Sequence, residues 1–110
     1  MKGVHLRIYT YEGRKHAGLP VYEWLLEQAK QMGIAGGSAF RAIAGFGRHG
    51  KIHEQAFFEL AGEEPVLVEF IVGDDEAARL LRLLRDEGLD IFHAALPAEY
   101  GWSGEGPVAT

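Results

Sequence analysis

The sequence predicts an α+β sandwich in which four antiparallel strands carry two helices on one face, in the order β-α-β-β-α-β. Three observations predict it. Val4, Leu6 and Ile8 alternate with His5, Arg7 and Tyr9, the period-two signature of a half-buried strand. Two stretches, Val21 to Met32 and Ala77 to Leu84, repeat apolar residues at helical spacing, and each is followed by a glycine that stops it, Gly33 and Gly88. Pro65 to Val72 is an almost continuous apolar run of strand length.

The first strand gives way to a polar connection, Tyr11 to Gly18. Pro20 suits the first turn of a helix whose stripe at helical spacing is Val21, Trp24, Leu25, Gln28/Ala29 and Met32, so Trp24 reads as core. Gly36-Gly37 turns the chain into a second strand, Ser38 to Gly45, with Ala39, Arg41 and Ile43 on one face and Phe40, Ala42 and Ala44 on the other. Pro65 to Val72 reads as a central strand covered on both sides. Asp74 is the expected N-cap of the second helix, with Ala77, Leu80, Leu81 and Leu84 buried and Asp75–Arg79 a favourable i,i+4 pair. Ile91 to Leu96 is the expected fourth strand, and Pro97 opens a tail containing Tyr100 and Trp102. Right-handed crossovers then give the split βαβ, or ferredoxin-like, arrangement. The expected organisation is one domain over residues 1–110, its core at about 4–96 and a tail at 97–110. Two helices protect only one face of the sheet, which points to self-association through the other.

One connection is out of proportion. The second and third strands are separated by about Gly45 to Glu64, whereas hairpin loops have ~2–5 residues. A loop of that length points to function, and it opens with Gly45-Phe46-Gly47-Arg48-His49-Gly50-Lys51-Ile52-His53. Glycines let successive backbone N–H groups face one object, and an arginine beside them completes a cradle for phosphate or carboxylate. Gln55 to Leu60 regains strand character, and Glu63-Glu64 reads as a solvated turn beside Pro65.

Composition narrows the function classes. The net charge of −5 disfavours nucleic acid or an anionic membrane as the main partner. Cysteine is absent, which excludes disulfides and thiolate metal sites. No apolar run reaches membrane-span length, and Met1-Lys2-Gly3 leads into a strand and not a signal peptide, so a cytoplasmic location is expected.

Gly45-Phe46-Gly47-Arg48, at the end of the second strand and followed by a long basic loop, resembles the PII signalling proteins, in which a Gly-Phe-Gly-Arg-Gln segment opens the mobile T-loop. Extended through His49, Ile52 and His53 to Pro65-Val66-Leu67-Val68-Glu69, the string is closer still to the PII-like branch known as domain-of-unknown-function family 190. Arg7-Ile8-Tyr9 and Leu19-Pro20-Val21-Tyr22-Glu23 fit the same branch, and the similarity covers about residues 4 to 96. The resemblance implies a homotrimeric signal-transduction protein with ligand clefts between subunits and a mobile loop presented to a partner. It implies a small anionic effector, an adenine nucleotide in PII relatives, no required cofactor, and a membrane transporter, channel or enzyme as the regulated partner. By position, Gly45, Phe46, Gly47 and Arg48 line the cleft, Arg48 meets phosphate, and His49, Lys51 and His53 extend the binding segment. His49 replaces the PII glutamine, which speaks against 2-oxoglutarate sensing. Arg85-Asp86-Glu87-Gly88-Leu89-Asp90 replaces the glycine- and lysine-rich phosphate loop, so a ligand less negative than ATP fits as well.

The alternative is a metal-binding trimer of the same fold, using His49 and His53 with a third ligand from elsewhere, His5, His16 and His93 being the other histidines. The RNA-recognition motif shares the sandwich but carries its aromatic signature on the third strand, and Arg-His-Gly follows Gly-Phe-Gly here. An enzyme is not expected: Ser38 and Ser103 lack a His/Asp arrangement, and His49 has neither a nucleophile nor an activated water to serve.

Overall fold

The computed structural model describes residues 1–46, 53–54 and 64–105. Its elements are β1 (Lys2–Tyr11), β2 (Lys15–His16), β3 (Leu19–Pro20), α1 (Val21–Gln31), β4 (Ser38–Arg41), β5 (Ala44–Gly45), β6 (His53–Glu54), β7 (Pro65–Val72), α2 (Asp74–Asp86) and β8 (His93–Glu99), closed by a 3₁₀ turn at Ser103–Glu105. The main sheet has the order β4-β7-β1-β8 with every pairing antiparallel, as the ferredoxin-like expectation requires. Strand β1 is central. It pairs with β7 from Val4↔Val72 to Tyr11↔Pro65 and with β8 from Lys2↔Glu99 to Ile8↔His93.

Register separates the two faces. Leu6 and Ile8 of β1, and Val66, Val68, Phe70 and Val72 of β7, are buried beneath the helices. Val21, Trp24, Leu25 and Ala29 of α1, with Ala77, Leu80 and Leu84 of α2, close the core from above. Most of the stripes read from the sequence are therefore buried, Trp24 included, while Met32 and Leu81 pack at the margin and Gln28 is half-buried. Both helices end where expected, with Gly33 at φ 84° and Gly88 at φ 72° supplying the left-handed residue.

Five expectations need correction. Among the described residues strand β7 is covered on one side only: Leu67 and Glu69 are half-buried and Ile71 is 50% exposed on the face away from the helices. The N-cap of α2 is Gly73, not Asp74, and Glu76 Oε1 accepts from the Gly73 N–H at 3.0 Å, the backward bond that Glu or Gln makes from the third helical position. Asp75 and Arg79 are not among the ion pairs of the described residues. Within the expected polar connection, β2 and β3 form a small hairpin whose two-residue turn, Ala17-Gly18, has both φ values positive (51° and 82°). The last strand runs through Pro97 to Glu99. Tyr9 N donates to Phe92 O and Tyr100 N to Met1 O, which makes 9/92 and 1/100 hydrogen-bonded pairs and Val4↔Pro97 a non-hydrogen-bonded one. The proline nitrogen therefore faces away from β1, on an edge where no donor is needed.

Candidate functional site

The predicted second strand leaves the sheet early. Pairing with β7 stops at Arg41↔Val66, a last bond runs from Ala42 N to Pro65 O, and Ala44–Gly45 then joins His53–Glu54 in a separate antiparallel ribbon. That ribbon roots the long connection. Gly45 pairs with His53, so the first and last residues of the proposed cradle are neighbours. Phe46, the residue after β5, is 71% exposed, and Ile43, the residue before it, is 80% exposed. Gly47, Arg48, His49 and Lys51 lie outside the described residues, as do Gln55 to Leu60, and for His53 the pairing of its backbone is what the structure describes.

Below the ribbon sits a cluster the sequence reading missed. Arg41 donates from Nε to Glu12 Oε2 (3.1 Å) and from Nη2 to Glu12 Oε1 (2.9 Å), and its Nε lies 3.7 Å from Glu64 Oε2. Glu64 is not a solvated turn: it is 3% exposed, its carbonyl accepts from Glu12 N at 2.8 Å, and its Oε1 has no hydrogen-bond partner among the described residues. The Glu12 hydrogen bond, the charge of Glu12 and then that of Glu64 raise the Arg41 pKa above its ordinary value. Glu12, Tyr22, Ala39, Phe40, Arg41 and Val66 line an open recess of about 270 Å³ here. The only sequence signal for it was Arg41, a charged residue in a strand end facing the helix side.

A second recess of about 500 Å³ opens between α2 and the start of β8. Leu81, Leu84, Leu89 and Ile91 contribute apolar lining, and Arg85, Asp90 and His93 contribute polar groups. The three histidines outside the cradle are dispersed. His5 Nε2 is 2.8 Å from Glu69 Oε2, His16 Nε2 is 2.9 Å from Glu87 Oε1 with its ring edge-on to Trp24, and His93 lines the second recess. No group of three or more His, Asp or Glu placed to hold a metal occurs among the described residues. No helix among them is long and apolar enough to cross a membrane.

Solved structures share this architecture. A PII-like signalling protein of Thermus thermophilus superposes with TM-score 0.58 at 18% identity, covering 88% of this chain and 86% of that one. CPII of Thiomonas intermedia, a nitrogen regulatory PII-like protein, superposes with TM-scores of 0.64 when bound to ADP and bicarbonate and 0.66 when bound to ADP, AMP and bicarbonate. Identity is 18% and 17%, with 93% of this chain and 91% of CPII covered in both. At such identities the likeness establishes the fold. Sequence relatives are nearer. A UPF0166 protein of Aquifex aeolicus is 42% identical over 81 residues, 74% of each chain. A UPF0166 protein of Methanocaldococcus jannaschii is 30% identical over 95 residues, 83% of this chain and 87% of that one. Residues 3–90 match the family described as Uncharacterized ACR. The chain belongs to that family, domain-of-unknown-function family 190, and has the PII-like fold.

Proposed function

We propose that the chain is a non-enzymatic regulatory protein that works as a homotrimer, binds a small anionic effector between subunits and presents its long loop to a partner protein. The observation that carries this reading is the pairing of Gly45 with His53 at the root of that loop. It brings together Gly45 and His53, the first and last residues of the Gly45–His53 segment. In this reading the whole chain acts as one domain, Gly45, Phe46 and Gly47 approach the effector with backbone, Arg48 grips its phosphate, and His49, Lys51 and His53 add positive charge. The effector is an adenine nucleotide, ADP or AMP in preference to ATP, because the end of α2 and the turn after it carry Asp86, Glu87 and Asp90 where a triphosphate needs cations. The nucleotides bound to CPII, a protein of the same fold, support that class. The uncovered sheet face, with Phe40 at 51% and Ile71 at 50% exposure, supports assembly of copies. The protein acts in the cytoplasm on a membrane transporter, channel or enzyme, and needs no cofactor.

Light scattering coupled to size exclusion, with a thermal-shift screen of ADP, AMP, ATP, bicarbonate and divalent metals on metal-stripped protein, tests this. The expected result is a mass three times 12.1 kDa and a melting temperature raised by an adenine nucleotide, ~2.7 kcal/mol of stabilisation at a hundredfold excess over Kd. A monomer at low micromolar concentration would overturn the intersubunit site. Stabilisation by a metal alone would move the reading to a metal-binding trimer.

A further inference from the structure

We propose that His5, Arg7 and Glu69 make assembly through the uncovered sheet face pH-dependent, with acid driving the copies apart. The proposal rests on the assembly reading above and names what regulates that same face.

The trio lies at the centre of the face opposite the helices. His5 and Arg7 are on β1, Glu69 is on β7, and Arg7 stands directly opposite Glu69 in the register. Glu69 nevertheless gives its carboxylate to His5 across the diagonal, with Nε2 and Oε2 2.8 Å apart and the two side chains 31% and 29% exposed. Arg7 is left to lie against Tyr9, its guanidinium carbon 5.7 Å from the ring centroid, and its Nε is buried without an acceptor among the described residues. Around the trio the face is apolar: Tyr9, Phe40, Ile71 and Leu96 are all exposed. The neighbouring strands add no further charge here, because β8 presents Ala94 and Leu96 opposite Arg7 and His5, and β4 presents Ser38 opposite Glu69.

The charge balance sets the direction. With His5 neutral, its ring N–H donates to Glu69 and the Arg7 and Glu69 charges cancel. Protonation leaves two cations sharing one carboxylate, a net charge of +1 on each copy. In the free protomer water solvates that charge. In an assembly each copy brings the same excess against a like-charged neighbour in a desolvated, apolar setting, where the cost is several times higher. Assembly therefore opposes proton uptake, and proton uptake opposes assembly.

The test measures mass by size exclusion with light scattering across a dilution series of the full chain, from pH 8 to pH 5.5 at constant ionic strength. The association constant of the wild type should fall with pH, by up to ~tenfold per protomer per pH unit, while the far-UV circular dichroism stays constant. His5→Gln, which keeps a side-chain N–H donor and cannot titrate, should lose that dependence. Glu69→Gln leaves a net cation at every pH and should assemble more weakly than wild type already at pH 8. The proposal is overturned by a wild type that assembles at pH 8 with no dependence on pH, by His5→Gln keeping the wild-type dependence, by Glu69→Gln assembling as tightly as wild type at pH 8, or by acid dissociation accompanied by loss of secondary structure. A wild type that is monomeric at every pH would overturn the assembly reading as well, which separates the two failures.

Discussion

Arg41 grips Glu12 with two parallel hydrogen bonds, 3.1 and 2.9 Å long, and so ties the last residue of β4 to the chain just beyond β1. The clamp stands where the chain departs for the long loop, and the buried carboxylate of Glu64 lies behind it. The exposed half of such a cluster is screened by water, but Glu64 is not. Arg41→Gln should therefore lower the melting temperature, and adding Glu64→Gln should restore part of the loss, because the second change removes the charge left without its cation. Simple additivity in that double-mutant cycle would show that the two residues do not interact. The guanidinium pKa is raised by Glu12 and Glu64, so while those carboxylates are ionised its share of the stability is lost only as pH rises through that raised value, beyond the range of ordinary buffers.

A second expectation concerns Gly37. A Cβ there would stand 2.4 Å and 2.6 Å from two ring carbons of Phe70, which is 1% exposed and has no free space to yield. Gly37→Ala should cost ~1–3 kcal/mol in urea unfolding, the range for overpacking a core. An unchanged midpoint would mean that the ring relaxes freely.

Ala17 offers the opposite sign. It occupies the left-handed region at φ 51° in the β2–β3 turn, a conformation that costs an L-residue ~1–2 kcal/mol and that asparagine tolerates better. Ala17→Asn should stabilise the protein by ~0.5–1 kcal/mol, read as a higher urea midpoint at constant slope.

The proposed cradle predicts a split between binding and assembly. Arg48→Ala should weaken ADP by ~1.5–3 kcal/mol, the range for a charge-assisted contact, measured by calorimetry, with the oligomeric mass unchanged. If His49→Ala abolishes binding of the effector while Arg48→Ala leaves it intact, the anion site gives way to a metal site.

Charge placed on the uncovered face should do the reverse. Ile71 is half exposed and lies beside the His5–Glu69 pair. Ile71→Lys should produce a folded protomer with native circular dichroism and one third of the wild-type mass by light scattering. A trimer that survives the change would place the interface elsewhere.

Much of this fold is legible in the sequence because burial imposes a period. The stripes Val21-Trp24-Leu25 and Ala77-Leu80-Leu84, the alternation in β1 and the stops at Gly33 and Gly88 each follow from one buried face or one left-handed residue. What escaped depends on context without a period. Two-residue strands such as Lys15–His16 and Leu19–Pro20 are too short to show one. Glu64 looks solvent-seeking beside Pro65 and is buried only because the sheet ends under Arg41 and Glu12. Pro97 looks like a terminator, and only an edge position with its nitrogen turned outward lets the strand continue through it. Of the candidate site, the structure describes Gly45 and its pairing with His53, while Gly47, Arg48, His49 and Lys51 fall outside the described residues.

That outward nitrogen has a consequence for how the molecule behaves in a crowd. Among the described residues no strand pairs with the far margin of β8, where the outward backbone positions are His93, Ala95, Pro97 and Glu99, and the third of these has no proton to give. A strand from another molecule laid along this margin would meet an interrupted row of donors and lose a bond near its centre, with the pyrrolidine ring crowding its approach. Runaway stacking of sheets end to end is blunted by a single imino acid. The margin can thus remain bare at high concentration without seeding fibres.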